Sequence, residues 1–306
     1  MLFLADESEP TTVAVVVKTQ HRPPPPGSDA RTLYQLHQTL TGTSAGTSAG
    51  TSAGTVAVTS TGTSGTTGSG RAVAPLPVGW CDDPDLFAYE YSDGVPVKER
   101  IESLVPPEGS DRSRRPAASW PDELSDIARA SGVLLAGFHE ALRSDREHTI
   151  AMGRLHRACR RATVGSASPP SRAVRSLCDS GPHNLIVNED GDLQLIDLPT
   201  DERWTFAEFD IGVLAHRLAR RAAIAFRSSA SAADAHGAFT DPLCAAYADT
   251  RGIPPDRSEV LASFAASSFV FARRSLTIGH AHASLDYARR DLSWGAATLR
   301  TARAVT

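Results

Sequence analysis

The chain has 306 residues, which is enough to bury a sizeable core in one two-lobed domain or in two small ones. Its formal net charge of −4 at pH 7 gives no general attraction to a nucleic-acid backbone or to an anionic membrane surface, so neither is expected as a partner. No stretch approaches the length of an apolar membrane span, and the first residues lack the basic and apolar regions of a secretory signal.

The spacing of the cysteines bears on the cellular compartment. The four cysteines are Cys81, Cys159, Cys178 and Cys244. They lie far apart and form no C-x-x-C pair, which argues against a zinc module and against a disulfide framework. The spacing suits a reducing environment, so the sequence predicts a cytoplasmic protein. No obligate protein partner is expected.

The first ordered segment is predicted to be a strand. Residues 11–18 (TTVAVVVK) are β-branched and apolar, and they end in Lys18, one of only two lysines in the chain. Four consecutive prolines at 23–26 exclude a continued strand. Residues 30–40 then carry apolar residues at positions 33, 36 and 40, a spacing that predicts a short helix.

Residues 41–70 form a low-complexity insert, in which 28 of 30 residues are Gly, Ala, Ser or Thr and TSAG occurs three times in tandem. Such a segment buries too little apolar surface to offset the entropy of ordering it, so we expect a flexible insert. The repeat matches the G-x-S-x-G pattern of serine hydrolases. A nucleophile elbow needs a strand before the turn and a helix after it, and neither is predicted here.

After the insert, the pattern predicts strands first and helices later. Residues 76–97 predict two strands around an Asp-Asp-Pro turn, and residues 123–143 predict an amphipathic helix. Two short apolar runs, 184–187 and 193–197, are joined by N-E-D-G and predict a β-hairpin. Further helices are predicted at about 206–226, 229–249 and 256–303, the last with a break near Gly279. This order indicates an α+β fold.

The residues suited to chemistry gather around the hairpin. Asp179 precedes a tight Gly-Pro turn, and Asn184 opens the first strand of the hairpin. The hairpin returns the chain so that Asp197, at the end of its second strand, comes near Asn184. A carboxamide and a carboxylate that converge make a hard-oxygen site suited to Mg²⁺. Asp179 would then orient a substrate hydroxyl.

At this point the sequence resembles a known family. Residues 177–184 read L-C-D-S-G-P-H-N and are followed by LQLID at 193–197. This pattern is similar to the catalytic loop H-G-D-x-x-P-x-N of the aminoglycoside phosphotransferase and choline kinase group. The segments AYEYSDG, LLAGFHEAL and AEFDIGVLAHRL resemble, in the same order, the group's hinge strand, the helix before the catalytic loop and the helix after it. We expect Asp210, in the last of these segments, to be a structural helix cap.

The resemblance implies a fold and a domain order. The fold would be α+β and protein-kinase-like, bilobal, with a small, truncated β-rich N-lobe and a larger helical C-lobe. Residues 1–40 would form part of the N-lobe, 41–70 the flexible insert, 71–94 the rest of the N-lobe with the hinge, and 95–306 the C-lobe with the catalytic loop. The acceptor would bind among the helices of 229–303.

The resemblance also implies the activity, an ATP- and Mg²⁺-dependent transfer of the γ-phosphoryl group to a hydroxyl of a small molecule. Asp179 would orient or deprotonate that hydroxyl, and Asn184 and Asp197 would hold Mg²⁺ on the β- and γ-phosphates. Catalysis in such a site is mostly positioning and neutralisation of charge. An antibiotic, a sugar, an amino alcohol or another metabolite would all be compatible as the acceptor.

Nucleotide binding is implied for three further positions. Lys18 would contact the α- and β-phosphates, because it ends the strand VAVVVK. The backbone near Glu90 and Ser92, in the hinge segment, would meet the adenine.

The sequence departs from the family pattern at three points, and these leave an alternative open. Leu177 stands where the family has a histidine, and the helix 30–40 has no glutamate to pair with Lys18, Gln35 being the nearest substitute. Only 17 residues precede Lys18, too few for the family's glycine-rich phosphate loop, so either the sequence starts late or nucleotide binding is weakened. The alternative is a degenerate kinase-like protein that binds a nucleotide or small molecule without catalysis.

Overall fold

The computed structural model describes residues 2–4, 15–19, 30–41, 74–75, 77–82, 85–90, 94–106, 120–163, 173–177, 181–188, 191–196, 198, 203–278 and 282–305. Of the insert predicted at 41–70, Thr41 is the last residue of a helix, and residues 42–70 lie outside these ranges. The strands are β1 (Leu2–Leu4), β2 (Val15–Thr19), β3 (Pro77–Asp82), β4 (Asp85–Glu90), β5 (Val95–Pro96), β6 (Ala173–Arg175), β7 (Leu185–Val187), β8 (Leu193–Leu195) and β9 (Trp204–Phe206). The helices are α1 (Ala30–Thr41), α2 (Val97–Ser103), α3 (Asp122–Ala141), α4 (Arg154–Thr163), α5 (Ala207–Ala225), α6 (Ala232–Ala235), α7 (Asp241–Arg251), α8 (Arg257–Ile278) and α9 (His282–Val305).

The chain forms two compact units. Unit 1 consists of Met1–Gly94 with Ile186–Glu202, and unit 2 consists of Val95–Leu185 with Arg203–Thr306. Within the described ranges, none of the helices combines the length and the apolar character that a bilayer crossing requires.

Unit 1 contains a four-stranded antiparallel sheet in the order β1-β2-β4-β3. The predicted strand at 11–18 is confirmed as β2, and the two strands predicted around the Asp-Asp-Pro turn are confirmed as β3 and β4. Helix α1 packs against β3 and β4. The three apolar positions that predicted this helix are buried, at Leu33, Leu36 and Leu40.

The predicted hairpin is confirmed, because β7 and β8 are neighbouring strands of a small sheet. Gly94, the glycine of the hinge segment, lies against the last residues of β7. A Cβ at Gly94 would collide with the Val187 carbonyl oxygen and would come within 2.6 Å of the Ile186 side chain. The glycine is therefore needed for the close approach of the two backbones.

Helix α5 packs against α8, and α8 packs in turn against α9 and α4. The helix predicted at 206–226 is confirmed as α5, and the helix predicted at 256–303 is confirmed on both sides of Gly279 as α8 and α9. The predicted break itself, at 279–281, lies outside the described residues. The helix predicted at 229–249 is interrupted, because α6 is followed by a π-helical turn at His236–Thr240 before α7 begins. The π turn buries His236, Phe239 and Thr240.

Candidate active site

A buried carboxylate anchors the start of the predicted catalytic loop. Asp210 lies in the first turn of α5 and is 2% exposed. Its Oδ2 accepts a hydrogen bond from the backbone N–H of Leu177 at 2.7 Å, and its Oδ1 accepts one from the Ser176 hydroxyl at 2.9 Å. Hydrogen bonds to an ionised acceptor are the stronger kind. The backbone is therefore held firmly two residues before Asp179.

The same carboxylate continues into a chain of buried polar groups. His139 Nε2 lies 3.2 Å from Asp210 Oδ2, and His139 Nδ1 lies 3.0 Å from the Tyr247 hydroxyl oxygen. Helix α7 approaches α3 this closely because Gly132 has no side chain, and a Cβ there would collide with the backbone of α7. Burial, with the negative charges of Glu208 and Asp210, raises the pKa of Tyr247, so the phenol stays protonated at neutral pH.

Backbone hydrogen bonds shape the described end of the loop. The N–H of Asn184 donates to the Gly181 carbonyl at 2.9 Å and closes a turn. The N–H of Lys98, on α2, donates to the Pro182 carbonyl at 2.8 Å. The turn before β7 is thus tied to a neighbouring helix, and it holds Asn184 in a buried position with 6% exposure.

A second set of contacts, in unit 1, fixes the backbone just before Asp197. The Tyr89 hydroxyl, on β4, donates to the Ile196 carbonyl at 3.3 Å. The Tyr89 ring stacks on His37 of α1 with ring centroids 5.3 Å apart, and His37 Nδ1 lies 3.0 Å from the Pro75 carbonyl oxygen. The end of β8 is therefore bonded to the strand that ends at Glu90.

The predicted site residues divide into described and undescribed positions. Asp179, Asp197 and Ser92 lie outside the described residues, so their predicted roles remain predictions. Lys18 and Glu90 lie on the neighbouring strands β2 and β4, where Lys18 is opposite Phe87 and Glu90 is opposite Val15.

The expectation that Asp210 caps a helix is wrong in its detail. The residue at the N-cap of α5 is Phe206, which makes no side-chain capping bond, and Asp210 lies inside the helix. Its carboxylate bonds the loop instead, because Leu177 and Ser176 present donors to it.

Sequence reasoning did not identify His139, Ser176 and Tyr247. One feature of the sequence does indicate His139. It follows Phe138 and lies four residues after Leu135, so it falls on the apolar face of the predicted helix. A histidine on such a face needs a polar partner when it is buried. Ser176 and Tyr247 left no comparable signal, since their partners are distant in the sequence.

The donor chemistry of the predicted metal site fits Mg²⁺. A carboxamide from Asn184 and a carboxylate from Asp197 are hard oxygen ligands, and one or two such groups with phosphate oxygens are how proteins commonly hold this ion. Among the residues that the structure describes, no group of three or more His, Cys, Asp or Glu side chains could hold a metal ion. Of the two predicted Mg²⁺ ligands, Asn184 is described by the structure and Asp197 is not.

No protein-family model matches the chain, and no curated protein matches it in sequence. Solved structures do match it in fold. A candidate aminoglycoside phosphotransferase from Ralstonia eutropha is 13% identical, with 99% of this chain and 92% of that chain aligned at a TM-score of 0.50. A macrolide 2'-phosphotransferase from Brachybacterium faecium is 15% identical over 95% of this chain and 91% of that chain, with a TM-score of 0.46. A choline/ethanolamine kinase family protein from Mesorhizobium loti is 15% identical over 76% of this chain and 78% of that chain, with a TM-score of 0.43.

The match to the Ralstonia eutropha structure defines a fold class. The protein has an α+β fold of the protein-kinase-like type. This fold agrees with the resemblance of the catalytic-loop motif to the aminoglycoside phosphotransferase and choline kinase group. At 13% to 15% identity the likeness concerns the fold.

Proposed function

We propose that the protein is a phosphotransferase that moves the γ-phosphoryl group of ATP to a hydroxyl of a small molecule, with Mg²⁺ as the metal. The observation that carries this proposal is the Asp210 anchor. A buried carboxylate that bonds the backbone of Leu177 and the Ser176 hydroxyl restrains the loop in which Asp179 and Asn184 stand. Such restraint is what phosphoryl transfer requires, since its catalysis is chiefly positioning.

Each side chain of the loop has a proposed role. Asp179 orients the acceptor hydroxyl and takes its proton as that oxygen bonds to the γ-phosphorus, while the bond from the γ-phosphorus to the bridging oxygen breaks and ADP leaves. Asn184 and Asp197 hold Mg²⁺, which neutralises charge on the phosphates. The buried, backbone-anchored position of Asn184 supports its role, because a ligand that is already held loses little freedom when it binds.

The nucleotide would be bound by the β-rich part of the chain. Lys18 contacts the α- and β-phosphates, and the backbone near Glu90 and Ser92 contacts the adenine. We assign residues 1–40 and 71–94 to a partial N-lobe, 41–70 to an insert and 95–306 to the C-lobe of a bilobal kinase-like protein. The acceptor binds among the helices of 229–303.

The proposal is tested first by nucleotide binding. Wild type, Asp197→Asn and Asp192→Asn are heated with and without ATP and Mg²⁺. A ligand at about a hundred times its Kd adds roughly 2.7 kcal/mol to the free energy of unfolding, which corresponds to a rise in Tm of roughly 5–10 °C. We expect this Mg²⁺-dependent rise in wild type and in Asp192→Asn, a matched change in the same hairpin, and its loss in Asp197→Asn. No rise at millimolar ATP would refute the proposal.

A second assay tests the catalytic role of Asp179. ADP formation is followed with a panel of hydroxyl acceptors, and Asp179→Asn is compared with wild type. We expect the variant to keep the ATP-dependent rise in Tm and to lose roughly 10²- to 10⁴-fold in rate, the usual contribution of a positioned base. Equal rates in the two proteins would contradict the assignment.

The degenerate binding protein remains the second candidate because of helix α1 and Leu177. Helix α1 carries no acidic residue, and its Gln35 is exposed. The buried polar side chain at its centre is His37, which bonds the Pro75 carbonyl. Leu177, at the family's histidine position, is buried. An ATP-dependent rise in Tm without ADP formation from any acceptor would favour this candidate over the enzyme.

A further inference from the structure

In unit 2, side chains with polar groups surround Trp294, and none of them belongs to the catalytic loop. Trp294, on α9, is buried, and its indole N–H donates to the Ala230 carbonyl at 2.9 Å. The rings of Trp120 and His216 lie 6.5 Å and 6.4 Å from the Trp294 ring, centroid to centroid. The guanidinium carbon of Arg290 lies 5.6 Å from the same ring. We call Trp120, His216, Arg290 and Trp294 the Trp294 cluster.

Three members of the Trp294 cluster have buried nitrogen atoms with no hydrogen-bond partner among the residues that the structure describes. These atoms are Trp120 Nε1, His216 Nε2, and Arg290 Nε with Nη2. Native proteins seldom leave buried donors unpaired, and each such case calls for an explanation such as a bound water or ion. His216 Nε2 faces Asp291 Oδ1 at 3.8 Å, so the unpartnered atoms of Trp120 and Arg290 are the ones that point to a ligand.

Arg290 is the most informative of the three. Its unpartnered atoms, Nε and Nη2, form one edge of the guanidinium group, the edge that binds a carboxylate or a phosphate through two parallel hydrogen bonds. Arg290 makes no ion pair with any residue that the structure describes. Burial lowers the pKa of its guanidinium, and the negative charge of Asp291 opposes this shift without cancelling it. The side chain is partly exposed, but Nε and Nη2 themselves are buried, so an ion reaches this edge only when the side chain turns outward.

The carboxylate nearest in sequence is already engaged. Asp291 is fully buried, and its Oδ2 accepts a hydrogen bond from Arg220 Nε at 2.9 Å. Its Oδ1 lies 3.8 Å from His216 Nε2, too far for a hydrogen bond. Asp291 therefore balances Arg220, and Arg274 adds a further guanidinium close by, over the Phe271 ring on which Arg220 also stacks. This excess of positive charge disfavours a cation and favours an anion.

We propose that the Trp294 cluster binds an oxyanion, a phosphate or carboxylate group, with the Nε–Nη2 edge of Arg290 as its bidentate ligand. The indole of Trp120 supplies a further donor at the same ring. Arg290 and Trp294 lie within 229–303, the segment to which we assign acceptor binding, but the proposal does not depend on phosphoryl transfer, because its test is carried out without nucleotide.

The test uses the full chain without nucleotide. The Tm is measured while inorganic phosphate, or acetate in a second series, replaces sodium chloride at constant ionic strength. Arg290→Met is compared with wild type and with Arg289→Met, which removes the same charge from an adjacent, exposed position. We expect a saturable rise in Tm in wild type and in Arg289→Met, and no saturable rise in Arg290→Met.

The Tm without added oxyanion and the saturation of the Tm rise decide the interpretation. Without phosphate or acetate, Arg290→Met should melt at or above the wild-type temperature, because it removes an unpaired buried cation. Saturation in either series supports the site and shows which oxyanion it accepts. The proposal is refuted if phosphate and acetate act no differently from chloride, or if Arg290→Met keeps the saturable rise, which would place the ion elsewhere.

If Arg290→Met does not fold, Arg290→Lys serves as the second variant. Lysine keeps the positive charge and loses the two-pronged edge. We expect the apparent Kd of the oxyanion to increase at least tenfold in Arg290→Lys. An unchanged Kd would show that the edge of Arg290 is not the ligand and would overturn the proposal.

Discussion

Replacing Asp210 tests the loop anchor directly, because three buried groups depend on its carboxylate. Its oxygens lie 2.7 Å from the Leu177 N–H nitrogen, 2.9 Å from the Ser176 hydroxyl and 3.2 Å from His139 Nε2. A hydrogen bond to a charged group contributes about 1.5–3 kcal/mol to the free energy of unfolding. Asp210→Ala removes all three and leaves their buried donors unpaired, so we expect a loss of about 5 kcal/mol.

Asp210→Asn should cost less, for a geometric reason. The amide can place its NH₂ group toward the Ser176 hydroxyl, which can rotate to accept, and keep its carbonyl oxygen toward the Leu177 N–H. The bonds then persist without the charge, and the expected loss is about 2 kcal/mol. Asp126→Asn is the matched control, because Asp126 is exposed and, within the part of the chain that the structure describes, its ion pair is with Arg129 on the same helix. Its expected effect is within about 0.5 kcal/mol.

Urea unfolding at pH 7.5 gives the free energies, and amide hydrogen exchange reports on the loop. We expect the amides at 176–177 to exchange faster in Asp210→Ala and to be unchanged in Asp126→Asn. The reasoning would be refuted if Asp210→Ala unfolded within about 1 kcal/mol of wild type, or if the exchange of these amides did not change.

Two other predictions concern the helical unit. Burial lowers the pKa of His156 and of His236 to about 4. The unfolded chain therefore binds more protons than the folded protein below pH 6.5. The free energy of unfolding should fall by about 2 kcal/mol per histidine between pH 7.5 and pH 5. Equal stability in urea at these two pH values would contradict this prediction. Gly212→Ala places a Cβ against the Val260 carbonyl and should lower the free energy of unfolding by about 1–3 kcal/mol. A Cβ at Gly237 meets no atom within 4 Å, so Gly237→Ala should be neutral or stabilising. Equal urea midpoints for the two variants would exclude the close packing of α5 on α8.

Long periodic segments could be predicted from the sequence, because their buried faces repeat at the helical period. The helix at 206–226 became α5 at Ala207–Ala225, and the three apolar positions of α1 are all buried. Short elements such as α2, α4 and β9 were missed, since a few residues carry too little pattern to predict them. The π turn at His236–Thr240 was missed for another reason: it depends on the packing of His236 against Thr298 of α9, a contact distant in the sequence.

The candidate site shows the same limit. The sequence could predict that Asp179, Asn184 and Asp197 form one site, because the turn and the hairpin that connect them are local. It could not show that Asp210 reaches back to Leu177, 33 residues earlier, or that His139 reaches Asp210 across 71 residues. A carboxylate in the first turn of a helix is favoured there by the helix dipole alone, so its sequence position predicts a cap. Only the fold brings the donors of another segment to it.

Helix α5 connects the two sites in one rigid element. Asp210 anchors the loop from the first turn of α5. His216, a member of the Trp294 cluster, lies six residues later, and Arg220, which bonds Asp291, lies ten residues later. At 1.5 Å per residue, these positions lie about 9 Å and 15 Å along the helix from Asp210. An oxyanion at Arg290 would thus be separated from the loop by more than one helical turn. If phosphate binding changes hydrogen exchange at Leu177, the effect must pass through α5, and Gly212, which sets the packing of α5 on α8, lies between the two ends. Exchange at Leu177 that ignores phosphate would show instead that the two sites act independently.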